Sequence, residues 1–144
     1  MNRVRKCLEC GHRFRTIEYE MEIFEKERNT PGMTINEYQA LAMRTASGMN
    51  HENHGMLLNG ALGLCGESGE VADIVKKAVF QGHELDVEHV AKELGDVCWY
   101  IAVSASAIGC DLESIMKANI EKLRKRYPDG FDTKRSQNRE KGDI

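Results

Sequence analysis

Proline most constrains this chain, because only two prolines, Pro31 and Pro128, interrupt its 144 residues. Proline breaks helix interiors, and between these two positions the apolar residues recur at helical rather than alternating spacing. A chain of this length is sufficient to bury one core. The sequence therefore predicts an all-α fold: a four-helix core over residues 33–130, a short Cys-containing appendage at 1–32 and a polar, loosely ordered tail at 131–144.

Capping and turn signals set the helix boundaries. Thr34 and Glu37 have the spacing of a capping box, which predicts the start of the first helix. Gly109 is a typical C-terminal stop, and Asp111 is an N-cap residue for the helix that follows. With a polar loop at 49–55 and turns at 80–83 and 127–130, these signals predict four helices, over 34–48, 56–79, 86–108 and 112–127.

The predicted helices carry apolar stripes that we expect to face the core. The stripe of the second helix consists of Leu57, Leu58, Ala61, Leu62, Cys65, Ala72, Val75 and Val79, and that of the fourth consists of Leu112, Met116, Ile120 and Leu123. Three of the five cysteines, Cys65, Cys98 and Cys110, lie in or beside such segments, where a reduced thiol packs like a small apolar group. We therefore expect three core cysteines and no disulfide framework.

The composition is that of an ordinary soluble domain, with 41% hydrophobic and 30% charged residues, and it excludes collagen-like, mucin-like and long disordered chains. No run reaches the roughly 18 apolar residues of a membrane span. The basic N-terminal stretch MNRVRKCLECGHRFR is not followed by the apolar segment of a secretory signal. The sequence therefore predicts a cytoplasmic protein without a membrane partner.

The net charge of -3 is unevenly distributed. Residues 1–16 carry +4, residues 121–144 carry +3, and the middle carries about -10. An acidic centre repels polyanions unless divalent cations bind there, whereas basic ends attract phosphate groups. The charge pattern favours a metal-dependent phosphate ligand.

Two carboxylate pairs stand out on the central helices, Glu67 with Glu70 and Glu93 with Asp96. Helical residues three apart share a face. If the turn near Gly82 is the pivot of an antiparallel hairpin, the two pairs lie at matching heights along the helices. The sequence predicts that all four acids converge between two packed helices.

Converging carboxylates need protons or cations, and hard oxygen ligands select Mg²⁺ or Mn²⁺. The alternative of acids on a solvated helix face holds for a single pair but is disfavoured for two matched pairs. A di-iron bundle is also disfavoured, because such sites use Glu-x-x-His, a pattern absent from residues 34–127. The prediction is a magnesium site that handles phosphates.

The fourth helix offers groups that would bind phosphate, since Asn119, Lys122 and Arg126 share one stripe. An ordinary solvated basic face is an equal alternative for this stripe alone. Tyr100, one turn after Asp96, is a candidate for packing against a sugar or base, whereas Trp99 is read as a packing or interface residue. His51 and His54 would border a base pocket, but a solvated loop is the favoured interpretation.

The segments GLCGESGEVADIVKKAVFQG and KELGDVCWYIAVSASAIGCDLESIMKANIEKLRKRYPDGFD resemble the MazG-like members of the all-α nucleoside triphosphate pyrophosphohydrolases, over about residues 33–139. The resemblance implies Mg²⁺-dependent hydrolysis of a (deoxy)nucleoside triphosphate to the monophosphate and pyrophosphate, in a homodimer or a dimer of dimers. It also implies that Glu67 or Glu70 orients or deprotonates the attacking water. By the same resemblance, the metal ligands are Glu67, Glu70, Glu93 and Asp96, and the substrate-binding residues are Tyr100, Asn119, Lys122, Arg126 and Tyr127.

The N-terminal appendage contains Cys7 and Cys10 in a C-x-x-C-G knuckle, a turn that presents two thiolates to Zn²⁺. It resembles the second knuckle of the zinc ribbon in the nucleotide-reductase repressor family. A ribbon needs four ligands, and His12 is the one close candidate for a third. Two interpretations stay open: two chains share one zinc ion, or the appendage keeps two free thiols.

Two alternative functions follow. One is a related pyrophosphohydrolase that acts on a phosphoribosylated nucleotide. The other is a regulatory module that binds a nucleotide or nucleic acid through the basic knuckle; nucleic acid is disfavoured as a partner, because one knuckle reads DNA poorly and the helices show no helix-turn-helix pattern.

Overall fold

The computed structural model describes residues 2–6, 13–17, 32–46 and 53–138. Over the described residues from 32 onwards the regular elements are helices, as the sequence predicted for the core domain. The helices are α1 (Ile35–Met43), α2 (Asn53–Phe80), α3 (Val87–Ala107), α4 (Leu112–Arg126) and α5 (Thr133–Gln137). No helix in the described ranges is long and apolar enough to cross a membrane.

The predicted capping signals occur where the sequence placed them. The Glu37 amide donates to Thr34 Oγ1 at 3.2 Å, and the Thr34 amide donates to Glu37 Oε2 at 2.7 Å, which completes the capping box. Gly109 adopts a φ of 73° after α3, and the Asp111 carboxylate accepts from the Ser114 amide at 2.8 Å. The Gly109 backbone conformation and the Asp111 cap explain why the bounds of α3 and α4 agree with the prediction to within one residue.

Two helix boundaries and the tail differ from the prediction by more than one residue. α1 ends at Met43 rather than at residue 48, and α2 begins at Asn53 rather than at residue 56. The tail expected to be loosely ordered contains α5, whose first turn is capped by the Asp132 carboxylate, an acceptor for the Arg135 amide. A single cap is sufficient to start a helical turn in a polar segment.

The appendage contains a β-hairpin for which the sequence analysis assigned no strands. Strands β1 (Asn2–Lys6) and β2 (Arg13–Ile17) pair antiparallel, with Asn2 opposite Ile17. Both strands alternate basic and apolar residues over several positions, a period of two that is typical of strands. Cys7, Cys10 and His12 lie outside the described residues, so their zinc ligation stays a prediction.

The chain separates into two compact units. Unit 1 comprises Met1–Gly32 and Gly66–Asp96, and unit 2 comprises Met33–Cys65 and Val97–Ile144. Each of the two long helices therefore contributes residues to both units. The domain bounds inferred from the sequence stay a prediction.

Small side chains form the core of unit 2. Ala42, Ala102, Ala105 and Leu112 are buried together, and Tyr38, Trp99 and Ile101 pack against them. The Trp99 indole donates to Thr45 Oγ1 at 2.8 Å and to the Ala42 carbonyl at 3.2 Å. Trp99 is thus a packing residue that fixes α1 against α3.

Two side chains of α1 satisfy the free amides at the start of α4. Gln39 Oε1 accepts from the Leu112 amide at 2.7 Å, and Asn36 Oδ1 accepts from the Glu113 amide at 3.3 Å. The Gln39 amide group also donates to Ser106 Oγ at 2.9 Å and to the Cys110 carbonyl at 3.1 Å. Gln39 therefore joins α1, the end of α3 and the start of α4, a role that the sequence analysis did not assign.

The prediction that the apolar stripes of α2 and α4 face the core is wrong for most of their residues in the described part of one chain. On α4, Leu112 is buried, but Met116, Ile120 and Leu123 stay 44%, 47% and 37% exposed. On α2, several stripe residues, including Leu58 and Leu62, are also exposed. The helices carry more apolar surface than the described part of one chain covers.

The cysteine prediction is likewise wrong, because Cys65, Cys98 and Cys110 are exposed rather than in the core. Their thiols are free, in agreement with the expectation of reduced cysteines for these three. Cys65 and Cys98 lie on helix faces that the described residues leave exposed, and Cys110 lies in the turn between α3 and α4.

Candidate metal centre

Unit 1 brings three carboxylates together. Glu67 projects from α2, and Glu93 and Asp96 project from α3. One oxygen atom from each carboxylate lies within 4.8 Å of one from each of the other two. We refer to Glu67, Glu93 and Asp96 as the acidic cluster.

The acidic cluster makes ionisation of Glu67 less favourable. Partial burial raises the pKa of Glu67, and its hydrogen bond with Glu93 and the negative charges of Glu93, Asp96 and Glu70 raise that pKa further. The Glu93 side chain is only 14% exposed. Like charges at this separation favour a shared proton or a bound cation.

The donor set fits a hard divalent cation. Every group in the acidic cluster is a carboxylate, and oxygen ligands suit Mg²⁺ and Mn²⁺ rather than softer metals. His89 also lies near, with Nε2 at 2.9 Å from Glu93 Oε1. This bond orients the Glu93 carboxylate, and the i, i+4 spacing of His89 and Glu93 is the sequence signal that would have revealed it.

Glu70 lies outside the acidic cluster, although the sequence placed it there with the other three acids. Glu67 reaches both Glu93 and Asp96, so Glu70 falls one turn further along α2, about 4.5 Å along the axis. It is exposed and contributes negative charge to Glu67. The structure thus groups three of the four predicted metal ligands.

Asp73, the acid that follows Glu70 along α2, is paired with lysines, unlike the carboxylates of the acidic cluster. Asp73 accepts hydrogen bonds from Lys76 and Lys77, which lower its pKa to about 2. Its charge is neutralised by these two lysines, so it does not need a metal ion. Asp73 is a local ion-pairing residue, so its replacement is a suitable control for replacements in the acidic cluster.

The predicted substrate-binding residues all belong to unit 2. Tyr100 is half-buried on α3, whereas Asn119 and Lys122 are exposed on α4. Arg126 is the last residue of α4, and its guanidinium lies 6.0 Å from the ring of Tyr127. The helix places Asn119, Lys122 and Arg126 on one stripe; their contact with substrate stays a prediction.

Several predicted residues are outside this description. His51, Cys7 and Cys10 lie beyond the described ranges, and His54 is in the first turn of α2 with its side chain undescribed.

A contact that the sequence analysis missed is that between Gly63 and the Tyr100 ring. The sequence signal for this contact was a glycine inside an apolar helical segment, which often marks close packing.

Comparison with known proteins identifies relatives of this chain. The model of the MazG nucleotide pyrophosphohydrolase domain matches residues 58–131. The gene 37 protein of Mycobacterium phage L5 is 36% identical over 76 residues, a match that covers 48% of this chain and 64% of that protein. The chain thus spans under two thirds of the length of this relative. No solved structure matches the chain significantly.

Proposed function

This chain belongs to the MazG nucleotide pyrophosphohydrolase domain family, and from this membership we propose that it hydrolyses (deoxy)nucleoside triphosphates to the monophosphate and pyrophosphate. The observation that carries the proposal is the acidic cluster, which lies within the residues matched by the family model. Its three carboxylates form an oxygen donor set suited to the divalent cation that phosphoryl chemistry uses.

Glu67, Glu93 and Asp96 would hold Mg²⁺, with Mn²⁺ as the alternative. When bound, the ion supplies positive charge for phosphate oxygens and lowers the pKa of water. The residues of the chain prepare this site by holding three carboxylates close together. Partial burial, the hydrogen bond with Glu93 and the neighbouring negative charges all raise the pKa of Glu67. His89 keeps one Glu93 oxygen in a fixed position.

A carboxylate must also orient or deprotonate the attacking water. The resemblance leaves Glu67 and Glu70 as candidates, and we propose Glu70. Glu67 is committed to the acidic cluster, whereas Glu70 lies outside it and is exposed on the next turn of α2.

Residues of α3 and α4, with Tyr127 after α4, would bind the nucleotide. Lys122 and Arg126 would neutralise phosphate oxygens, and Asn119 would donate a hydrogen bond. Tyr100 and Tyr127 would pack against the base or sugar. These roles rest on the family resemblance and on the shared stripe of α4.

We also propose that the chain acts as a homodimer or tetramer. The uncovered apolar residues on α2 and α4 support this assembly, because monomeric proteins rarely expose large contiguous apolar patches. Light scattering should give a mass of two or four chains, and Leu62→Lys, which places a charge on the α2 face, should lower it. A wild-type mass of one chain would contradict the assembly.

The alternatives share parts of this site. A phosphoribosylated nucleotide would use the same phosphate chemistry, and a substrate panel separates it from the triphosphates. A regulatory module would bind nucleotide without metal-dependent turnover. The zinc knuckle at Cys7 and Cys10 would serve such a module, and metal analysis of the purified chain tests for Zn²⁺.

The test of the proposed function compares cluster variants with a matched control. Asp96→Asn and Glu93→Gln should lower pyrophosphate release by at least the roughly 10- to 100-fold that loss of a supporting group costs a metal site. Asp73→Asn, on the same helix as Glu67 but paired with lysines, should retain activity. Equal activity in all three variants would refute the role of the cluster.

A further inference from the structure

The ring of Tyr100 occupies the space that a side chain at position 63 would fill. A Cβ atom added to Gly63 would lie 2.1 Å from Tyr100 Cε1 and 2.2 Å from Cζ. Both distances are far below van der Waals contact, so the ring lies directly against the backbone of α2. An aromatic ring is rigid beyond its two side-chain torsions, and it would have to move as a whole to admit a methyl group.

A second contact fixes the ring from its own helix. The Trp99 and Tyr100 rings meet edge to face, with centroids 4.9 Å apart and planes at 87°. Trp99 is itself anchored by its hydrogen bonds to Thr45 and Ala42. Tyr100 is therefore held between the α2 backbone and an indole that cannot rotate freely.

Gly60, Gly66 and Gly69 of α2 do not have this effect. A Cβ at Gly60 would meet Ser104 Oγ at 2.3 Å, but that hydroxyl belongs to a small side chain with other rotamers. A Cβ at Gly66 or Gly69 would meet nothing within 4 Å. Among Gly60, Gly63, Gly66 and Gly69, Gly63 is therefore the one whose missing side chain leaves room for an aromatic ring.

We propose that Gly63 is a positioning residue for nucleotide binding, which acts by letting the Tyr100 ring lie against α2 at one fixed place. The inference rests on the proposed function, in which Tyr100 packs against the base or sugar. A ring that is already in place binds a nucleotide without the cost of ordering it. Gly63 touches no substrate in this account and acts only through Tyr100.

The first test is the Gly63→Ala variant, with Gly66→Ala as the matched control. Trp99 is the only tryptophan in the chain, so its fluorescence reports on the neighbouring Tyr100 ring. Gly63→Ala should shift that emission and raise KM about tenfold, with kcat within about twofold, because a displaced binding group weakens substrate binding. Gly66→Ala should leave the emission and KM unchanged and raise Tm, since alanine favours the helix.

The second test is a double-mutant cycle that separates positioning from packing. If Gly63 acts through Tyr100, the Gly63→Ala effect on KM should disappear in a Tyr100→Ala background. Equal effects in both backgrounds would overturn the inference. If Gly63→Ala does not fold, Gly63→Ala combined with Tyr100→Ala should restore folding, because the ring that clashes has been removed.

The two proposals fail in different ways. If the wild-type chain neither turns over nor binds any nucleotide, the proposed function fails, and the positioning role of Gly63 fails with it. If the wild-type chain is active and Gly63→Ala matches it in emission and KM, only the inference about Gly63 is overturned.

Discussion

Replacing Gln39 with alanine tests how unit 2 is held together. The side chain accepts from the Leu112 amide at 2.7 Å and donates to Ser106 Oγ at 2.9 Å and to the Cys110 carbonyl at 3.1 Å. Gln39 and these three partners therefore form a small network between α1 and the α3–α4 turn. Gln39→Ala removes all three bonds and leaves the amide at the start of α4 without its side-chain acceptor.

The cost follows from the number and setting of these bonds. A net contribution of about 0.5–1.5 kcal/mol for each hydrogen bond gives a total of about 1.5–4.5 kcal/mol for three bonds in a half-buried site. For a chain of this size, that loss corresponds to a fall in Tm of roughly 5–15 °C.

The assay is thermal unfolding followed by circular dichroism, with Gln81→Ala as the control. Gln81 is exposed at the end of α2, and its replacement should change the free energy of unfolding by less than about 0.5 kcal/mol. If Gln39→Ala unfolds at the wild-type temperature, the network does not join α1 to α4 as described.

Three further predictions concern charge. Lys76 and Lys77 lower the pKa of Asp73 from 3.8 to about 2. The Asp73 carboxylate therefore stabilises the fold above pH 3.8 and loses that effect as the pH falls toward 2. The difference in Tm between wild type and Asp73→Asn should shrink over this pH range, and a constant difference would contradict the ion pairs. At a concentration 100 times its Kd, Mn²⁺ should stabilise the folded state by about 2.7 kcal/mol, which is measured as a rise in Tm. Glu93→Gln should lose most of that rise. An equal rise in the wild type and in Glu93→Gln would mean that the ion binds elsewhere. Lys122→Ala should raise KM for a triphosphate about tenfold, while an unchanged KM in steady-state assays would remove it from the binding site.

Local signals predicted the helices well, because their physical causes are contained in a few neighbouring residues. The capping box of Thr34 and Glu37 is complete within four positions, and Gly109 and Asp111 mark the α3–α4 turn by backbone geometry and capping. The β-hairpin was missed because its period-two pattern extends over only five residues in each strand, near the lower limit at which alternation identifies a strand.

Tertiary contacts could not be predicted in the same way. Nothing local to Gln39 shows that it bonds to residues more than 65 positions away. The exposure of Met116 was also hidden, because helical periodicity identifies an apolar face but not what covers it. The Gly63 contact depends on the spacing of two helices, which one sequence does not give.

The candidate site was predicted to the extent that helix geometry determines it. Spacing of three residues placed Glu93 and Asp96 on one face, and the hairpin register brought Glu67 to them. The structure groups Glu67 with both acids of α3. Metal ligation by Glu70 stays a prediction, because the spacing of residues along a helix does not by itself determine which side chains reach a common ion.

We propose that this chain cleaves the α–β bond of a nucleoside triphosphate with a divalent ion held by Glu67, Glu93 and Asp96. The decisive experiment is phosphorus NMR of the protein with a panel of ribo- and deoxyribonucleoside triphosphates, with Mg²⁺, with excess chelator and with Asp96→Asn. We expect monophosphate and pyrophosphate with Mg²⁺ only, and neither product with the variant. Orthophosphate as the first product, or equal turnover in the presence of chelator, would refute the proposed reaction.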